Sequence, residues 1–280
     1  MSGPILVAPA PFRSAGLRAT QVAAALGRGL EAGGWQVDLC PLADGGAGTL
    51  EVLLPALGGE TAAVEVGGRP VGIGLIEDGG TAIVELGGVL GGGDPDAVPA
   101  SSAAAGELLL AAAQTGAEVL LVGAGDLRCG DGGDGAVEAI ASGGGIAPRL
   151  VVLCDVRTPA DGVAWGASGD GLAGALAQAC DARLESGASF VLDVLDGDAR
   201  MKAARAVVVG EGLLDLHTLA GKAPGELATR ARQSGVPCFA VVGGRTLDPF
   251  GGRILDLQAV LEADTLDALE AAGRTLAELV

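Results

Sequence analysis

The sequence predicts an α/β protein of two lobes: a Rossmann- or flavodoxin-like parallel-sheet domain with a second, mixed-sheet α/β domain inserted into it. Three observations carry that prediction. Residues 5–39 run from an apolar strand through a helical pattern to a second strand, the βαβ opening of a parallel sheet. Residues 61–86 break instead into short strands joined by Gly-Gly-Arg-Pro and Glu-Asp-Gly-Gly turns, the pattern of an antiparallel or mixed meander. From residue 206 the strand, loop, helix rhythm returns. The expected boundaries are 1–58 with 190–280 for the discontinuous parallel-sheet domain, and 59–189 for the insertion.

Taken in order, the Ile-Leu-Val-Ala run at 5–8 is a buried strand ending at Pro9. Residues 19–32 form a helix closed by Gly33-Gly34, and 35–39 a second strand. A loop at 41–49 leads to a short helix ending near 57, and the meander strands fall at 61–66, 71–77 and 81–86. A loop at 91–99 precedes a helix at 101–114 capped by Ser101 or Ser102. The strand at 118–122 runs into a Gly- and Asp-rich loop at 123–135, followed by a helix at 136–141 and a strand at 150–156. Residues 158–171 read as loop and 172–185 as helix, while 189–195 fits either helix or strand. The strand at 206–209 and the loop at 210–222 lead to a helix at 223–232 with Pro224 and Glu226 in its first turn. A strand at 236–242 and an amphipathic helix at 265–279 complete the chain.

Composition narrows the function classes. Hydrophobic residues make up 49% of the chain but aromatics only 2%, so Ala, Val and Leu must fill the core. The formal charge of −18 excludes a nucleic-acid footprint, which needs a basic face. An acidic protein that handles phosphates must do so with loop amides, a metal ion and a few fixed cations. Cys40, Cys129, Cys154, Cys180 and Cys238 are scattered without a C-x-x-C pair and read as buried apolar residues. The apolar stretch at 108–122 is broken by Gln114 and Glu118, which makes it a helix running into a strand and not a membrane span. Residues 1–10 show no signal-peptide pattern, so a cytoplasmic protein is expected.

Three Gly-rich acidic loops stand at strand–helix junctions: ADGGAGT at 43–49, GDGGDG at 130–135 and GEGLLDLHTLAGK at 210–222. Such turns let backbone amides and a helix N-terminus face an anion. Carboxylates in the same loops would repel a phosphate unless a cation intervened, so phosphate with Mg²⁺ reconciles the two. The third loop concentrates scarce chemistry, with the only histidine, His217, and one of two lysines, Lys222, beside Glu211 and Asp215. Common templates fail: a Walker A loop would need glycine where Leu216 stands, and no complete G-x-G-x-x-G follows a strand. One histidine excludes a multi-His zinc site.

Together these loops resemble the bacterial glycerate kinase family, of the type related to the glycerate 2-kinases. The resemblance runs in order along nearly the whole chain. PLADGGAGT at 41–49 is similar to the family's P-L-A-D-G-G-E-G-T, and GEGLLDLHTLAGKAPGELATRA to its G-E-G-x-x-D-x-Q-T-x-x-G-K-x-P-x-x-V-A segment. VGAGDLRCGDGGDG resembles G-x-G-G-S-A-T-N-D-G-G-x-G, and APAPFRS at 8–14 resembles A-P-D-S-F-K-G. The departures are Ala10, Pro11, Arg13 and Ser14 in the first motif, and Leu127-Arg128-Cys129-Gly130 where the family has Ser-Ala-Thr-Asn. Further departures are His217 in place of Gln, a shorter chain, and a missing segment like F-G-P-Q-K-G after Trp165-Gly166-Ala167.

The resemblance implies a two-lobed kinase in which glycerate and Mg-ATP meet between the lobes, with ATP and Mg²⁺ as cofactors. It implies catalytic roles for Asp44, Asp131 and Lys222, with an Asp as base toward the acceptor hydroxyl and the lysine on a phosphate. Glu211 and Asp215 are the implied metal ligands, directly or through water. Arg13, Gly45, Gly46, Thr49, Arg128, Gly132, Gly133, Gly210, Gly212, His217, Thr218 and Gly221 are the implied substrate- or phosphate-binding positions. Plain alternatives stand beside these roles: turn capping for the two aspartates, a helix-start residue for Lys222, a hydrogen-bonded loop residue for His217 and a solvated side chain for Arg128. The expected partners are a glycerate-like acid and a nucleotide, with no nucleic acid or membrane and a homodimer as the candidate assembly. The missing hydroxyls leave a second reading open, a non-catalytic paralogue that binds a ligand or partner.

Overall fold

The computed structural model describes residues 3–90, 101–156 and 171–280. The loop expected at 91–99 and all but the last residue of that at 158–171 lie outside them. The chain opens with β1 (Ile5–Pro9), α1 (Ala19–Ala32), β2 (Val37–Leu39) and α2 (Thr49–Leu57). The meander follows as β3 (Glu60–Val66), β4 (Arg69–Ile76) and β5 (Thr81–Glu85), then α3 (Gly87–Leu90) and α4 (Ala103–Ala113). Alternation continues with β6 (Val119–Gly123), α5 (Asp134–Ser142), β7 (Arg149–Cys154), α6 (Leu172–Cys180), β8 (Arg183–Ser186), α7 (Gly187–Val194) and α8 (Gly197–Ala203). The last third carries β9 (Ala206–Glu211), α9 (Leu216–Leu219), α10 (Ala223–Ser234), β10 (Cys238–Val242), α11 (Pro249–Ile254), β11 (Leu257–Glu262) and α12 (Leu266–Leu279).

Two compact units result: an end unit, Met1–Ala43 with Leu192–Val280, and a middle unit, Asp44–Val191. In the end unit five parallel strands lie in the order β11-β10-β9-β1-β2. β1, β9 and β10 are buried along their whole length, as their uninterrupted apolar runs require of central parallel strands. Ile5, Val7, Val208 and Val241 face Phe12, Leu26, Leu269 and Leu276 in one core. With so few aromatics, close helix approach does the filling. A side chain at Gly29 of α1 would put its Cβ 2.1 Å from the Glu270 carbonyl of α12, so only glycine lets the two backbones meet. Between β1 and β9 the strand order reverses, the topological switch point at which open parallel sheets bind ligands.

In the middle unit six strands run β3-β4-β5-β6-β7-β8, antiparallel through β5 and parallel from β5 onward. The mixed sheet expected from the meander is thus present. Val84, Leu120, Val122 and Val152 pack with Leu108, Leu109 and Leu172 of the covering helices. The helix expected at 172–185 is corrected: it ends at Cys180, where Asp181 turns left-handed at φ 53°. Residues 183–186 then pair with β7, Val152 opposite Leu184. The residues at 189–195 lie mostly in α7 as helix. No helix of the described residues is long and apolar enough to cross a membrane.

Candidate functional site

In the end unit the switch point brings two of the noted motifs together. The Ala10 amide donates to the Gly210 carbonyl at 2.7 Å, joining the loop after β1 to the loop after β9. A Cβ added at Gly212 would lie 3.4 Å from Phe12 Cα and 3.5 Å from Arg13 N, so the GEG turn rests directly on the turn that carries Arg13. Glu211, only 6% exposed, ends β9 here. The Thr218 hydroxyl donates to its Oε1 at 2.7 Å and accepts from the Asp215 amide at 3.1 Å. Asp215 is the N-cap of α9: Oδ1 accepts from the amides of His217 (2.8 Å) and Thr218 (3.3 Å), and Oδ2 lies 3.1 Å from His217 Nδ1. Both Asp215 oxygens are therefore engaged in local structure. Asp215 thus caps α9, and His217 is an exposed partner of that cap. Gly221, at φ 120°, swings the chain into Lys222, the N-cap of the twelve-residue α10 with Pro224 in its first turn.

In the middle unit the 43–49 turn is clamped by the carboxyl ends of β5, β6 and β7. The Gly45 amide donates to Thr49 Oγ1 at 3.1 Å, and that hydroxyl donates to the Gly46 carbonyl at 2.7 Å. The Gly45 carbonyl accepts from the Gly125 amide at 2.9 Å. Gly45 itself sits at φ 94°, and a Cβ there would come within 2.4 Å of the Leu153 carbonyl. Asp44, at the base of the turn, is 6% exposed. A Cβ at Gly46 would meet Asp126 Oδ2 at 2.4 Å and Asp44 Oδ1 at 3.3 Å, so two carboxylates converge on this glycine. Asp126 holds a left-handed backbone at φ 58°, and its amide donates to Asp155 Oδ2 at 3.1 Å. A non-glycine residue kept in that conformation marks a locally over-determined site.

Glu85, at the end of β5, accepts from the Leu50 amide. Burial pushes its pKa up, while the amides of Leu50, Gly48 and Thr49 pull it down and Glu51 raises it again. The orphan amides that begin α2 therefore already face an internal carboxylate.

Asp131 sits apart from that turn's hydrogen bonding. Oδ2 accepts from the Ser102 amide (2.8 Å), the Ser101 and Ser102 hydroxyls (2.9 and 3.1 Å) and the Gly135 amide (3.3 Å), and Oδ1 from the Gly133 amide (3.2 Å). Burial works to raise its pKa, but these bonds, led by the Ser102 amide, outweigh it and hold the carboxyl well below the usual range. A carboxylate so stabilised is held in its ionised form. The arrangement is a clamp joining the starts of α4 and α5. Ser102 is the N-cap residue of α4, yet its hydroxyl serves Asp131 and the Ala136 amide and leaves the amides of its own helix alone. Gly132 (φ 61°) and Gly133 (φ 100°) form the turn into α5, and Arg128 is exposed on the same loop.

Asp126, Asp155 and Glu85 escaped the sequence reading. Each closes an apolar run at the carboxyl end of a strand that proves parallel, and that position was the available signal. Among the described residues no three His, Cys, Asp or Glu side chains group as a metal cage.

Comparisons with known proteins point to one family. The family model described as the glycerate kinase family matches residues 5–143 and 150–265. The glycerate kinase of Bacillus subtilis (strain 168) is 26% identical, over 87% of this chain and 86% of that one. The glycerate 2-kinase of Escherichia coli (strain K12) is also 26% identical, over 87% and 86%. A crystal structure provisionally assigned as glycerate kinase 2 of Salmonella typhimurium LT2 shares the fold, with a TM-score of 0.72 over 100% of this chain and 98% of that one at 24% identity. With a family model matching residues 5–143 and 150–265, most of its length, the chain belongs to the glycerate kinase family.

Proposed function

We propose that the protein transfers the γ-phosphoryl group of ATP to glycerate, or to a similar short hydroxy acid, giving 2-phosphoglycerate and ADP from glycerate. The observation that carries the proposal is the buried Asp44 carboxylate converging with Asp126 on Gly46, inside the family's ADGG turn. In this reading Asp44 accepts the acceptor hydroxyl's proton as the new oxygen–phosphorus bond forms and the bond to the ADP oxygen breaks. Asp155 holds Asp126 through its backbone amide. Lys222, at the head of α10, supplies a cation beside helix amides for a phosphate. Arg13, Arg128 and the turn glycines Gly132, Gly133, Gly210 and Gly212 shape the anion-binding surfaces, Thr49 holds the ADGG turn from within, and Asp131 orders its loop without moving a proton.

Magnesium fits as an ion carried in on the nucleotide, because it keeps several waters and is usually held by one or two carboxylates plus phosphates. Glu211 is the residue that would hold it directly, with Asp215 reaching it only through water. Bound there it would neutralise phosphate charge. Cytoplasmic residence belongs to the same proposal, since Cys40, Cys129, Cys154, Cys180 and Cys238 form no disulfide, which suits a reducing compartment.

The test is a coupled ADP-release assay with D-glycerate. Asp44→Asn should lower kcat by about 10²–10⁴, the usual contribution of a positioned base. No turnover by wild type above that variant would sink the kinase proposal, and retained Mg-ATP binding in such a protein would favour the non-catalytic paralogue.

A further inference from the structure

We infer that the nucleotide is held in the end unit, in a groove of about 500 Å³ that runs from Leu214 and Arg245 beneath α11 to the start of β11. The inference rests on the kinase reading above and names the place of its donor. The groove lies within the size range of small-molecule pockets. Its floor includes Leu214 and Leu247, both under 10% exposed, an apolar surface of the kind a base ring covers.

Arg245 and Arg253 are exposed on its lining, and neither makes an ion pair among the described residues. That is unusual in a chain with 17 basic against 35 acidic residues, where most cations could find a carboxylate. Of the two carboxylates on the lining, Asp248 is turned to its own helix, accepting from the Gly251 amide at 2.7 Å. Asp256, exposed at the far end, is an acceptor suited to ribose hydroxyls. An apolar floor, two cations and one acceptor match base, phosphates and sugar in turn.

The groove is also tied to the GEG loop. The Leu214 amide donates to the Gly244 carbonyl, and the Leu214 carbonyl accepts from the Thr246 and Leu247 amides, each at 3.0 Å. Phosphates leaving the groove at Leu214 therefore enter the 210–222 loop that ends in Lys222. The start of α2, by contrast, is already faced by Glu85.

The experiment is calorimetric titration with Mg-ATP and with adenosine, on wild type and on Arg245→Ala, Arg253→Ala and the double variant. Both arginines are exposed, so thermal melting should match wild type. Each single variant should weaken Mg-ATP about tenfold and the double about a hundredfold, as loss of charge-assisted hydrogen bonds gives. Adenosine binding should change less than twofold. A double variant that binds Mg-ATP as wild type does overturns the groove while leaving the kinase reading standing, as does equal loss for adenosine and Mg-ATP. A wild type that binds no Mg-ATP overturns the kinase reading and the groove with it.

Discussion

Asp131→Asn keeps the size of the side chain and one acceptor oxygen, but removes the charge that gathers five donors onto the turn before α5. The amide can point its oxygen at only one side. With that oxygen toward the Ser102 cluster, its NH₂ faces the Gly133 amide, and one backbone hydrogen bond is lost at about 1 kcal/mol. Losing the charge assistance on the remaining bonds adds roughly 1–2 kcal/mol, held low because the group is only half-buried. The sum is about 2–3 kcal/mol, or a fall in Tm of about 4–12 °C for a unit of this size.

The pH dependence has a fixed sign. A carboxyl whose folded pKa lies below its ordinary value of 3.8 contributes stability that is fully present above that value and is lost as pH falls toward the folded pKa. Urea unfolding of wild type and variant should therefore differ fully near neutral pH and converge below about pH 3.8. Turnover measured alongside should fall only modestly. A variant as stable as wild type at neutral pH, with kcat down more than about a thousandfold, would show that Asp131 is the base and that the clamp argument is mistaken.

Glu85→Gln should be neutral or slightly stabilising near neutral pH, because burial raises the folded pKa of the glutamate, so its contribution to stability falls as pH rises above the ordinary value of 4.5. Glu85→Leu should instead cost about 1–3 kcal/mol in urea unfolding, by leaving the Leu50 amide unpartnered; a Leu variant as stable as wild type would refute the cap. Asp215→Ala should lower stability by about 1 kcal/mol as an N-cap loss. If it left stability untouched but abolished Mg²⁺-dependent nucleotide binding, Asp215 would be a ligand after all. Gly45→Ala should destabilise by about 2–4 kcal/mol, through a left-handed backbone and a clash with the Leu153 carbonyl, whereas Gly58→Ala, at φ 71° with nothing within 4 Å, should cost about 1 kcal/mol.

The sequence by itself determined the elements whose signal is local and the motifs whose residues are contiguous. Helix α1 was legible at 19–32 because its apolar period and its closing Gly33-Gly34 lie in one window, and the central strands because burial on both faces leaves no polar residue in 5–8 or 206–209. The ADGG, DGG and GEG turns were legible for the same reason. Only the tertiary structure decided the rest. Residues 183–186 became a strand because β7 offered a parallel edge, against a helical pattern that a short segment could not enforce. Residues 257–262, half-buried and without a clear period, became β11 by pairing with β10. The division of labour among the carboxylates was likewise decided in three dimensions. At Asp131 and Asp215 the donors brought by the fold order the turns that carry them, and at Asp44 the Gly46 amide does the same at 3.4 Å. Asp126 and Asp155, 29 residues apart, reached the candidate site because parallel pairing of β6 with β7 aligns the two strand ends they follow. Sequence supplies such groups; which of them retain charge for a ligand depends on the amides and carbonyls that long-range contacts bring to each.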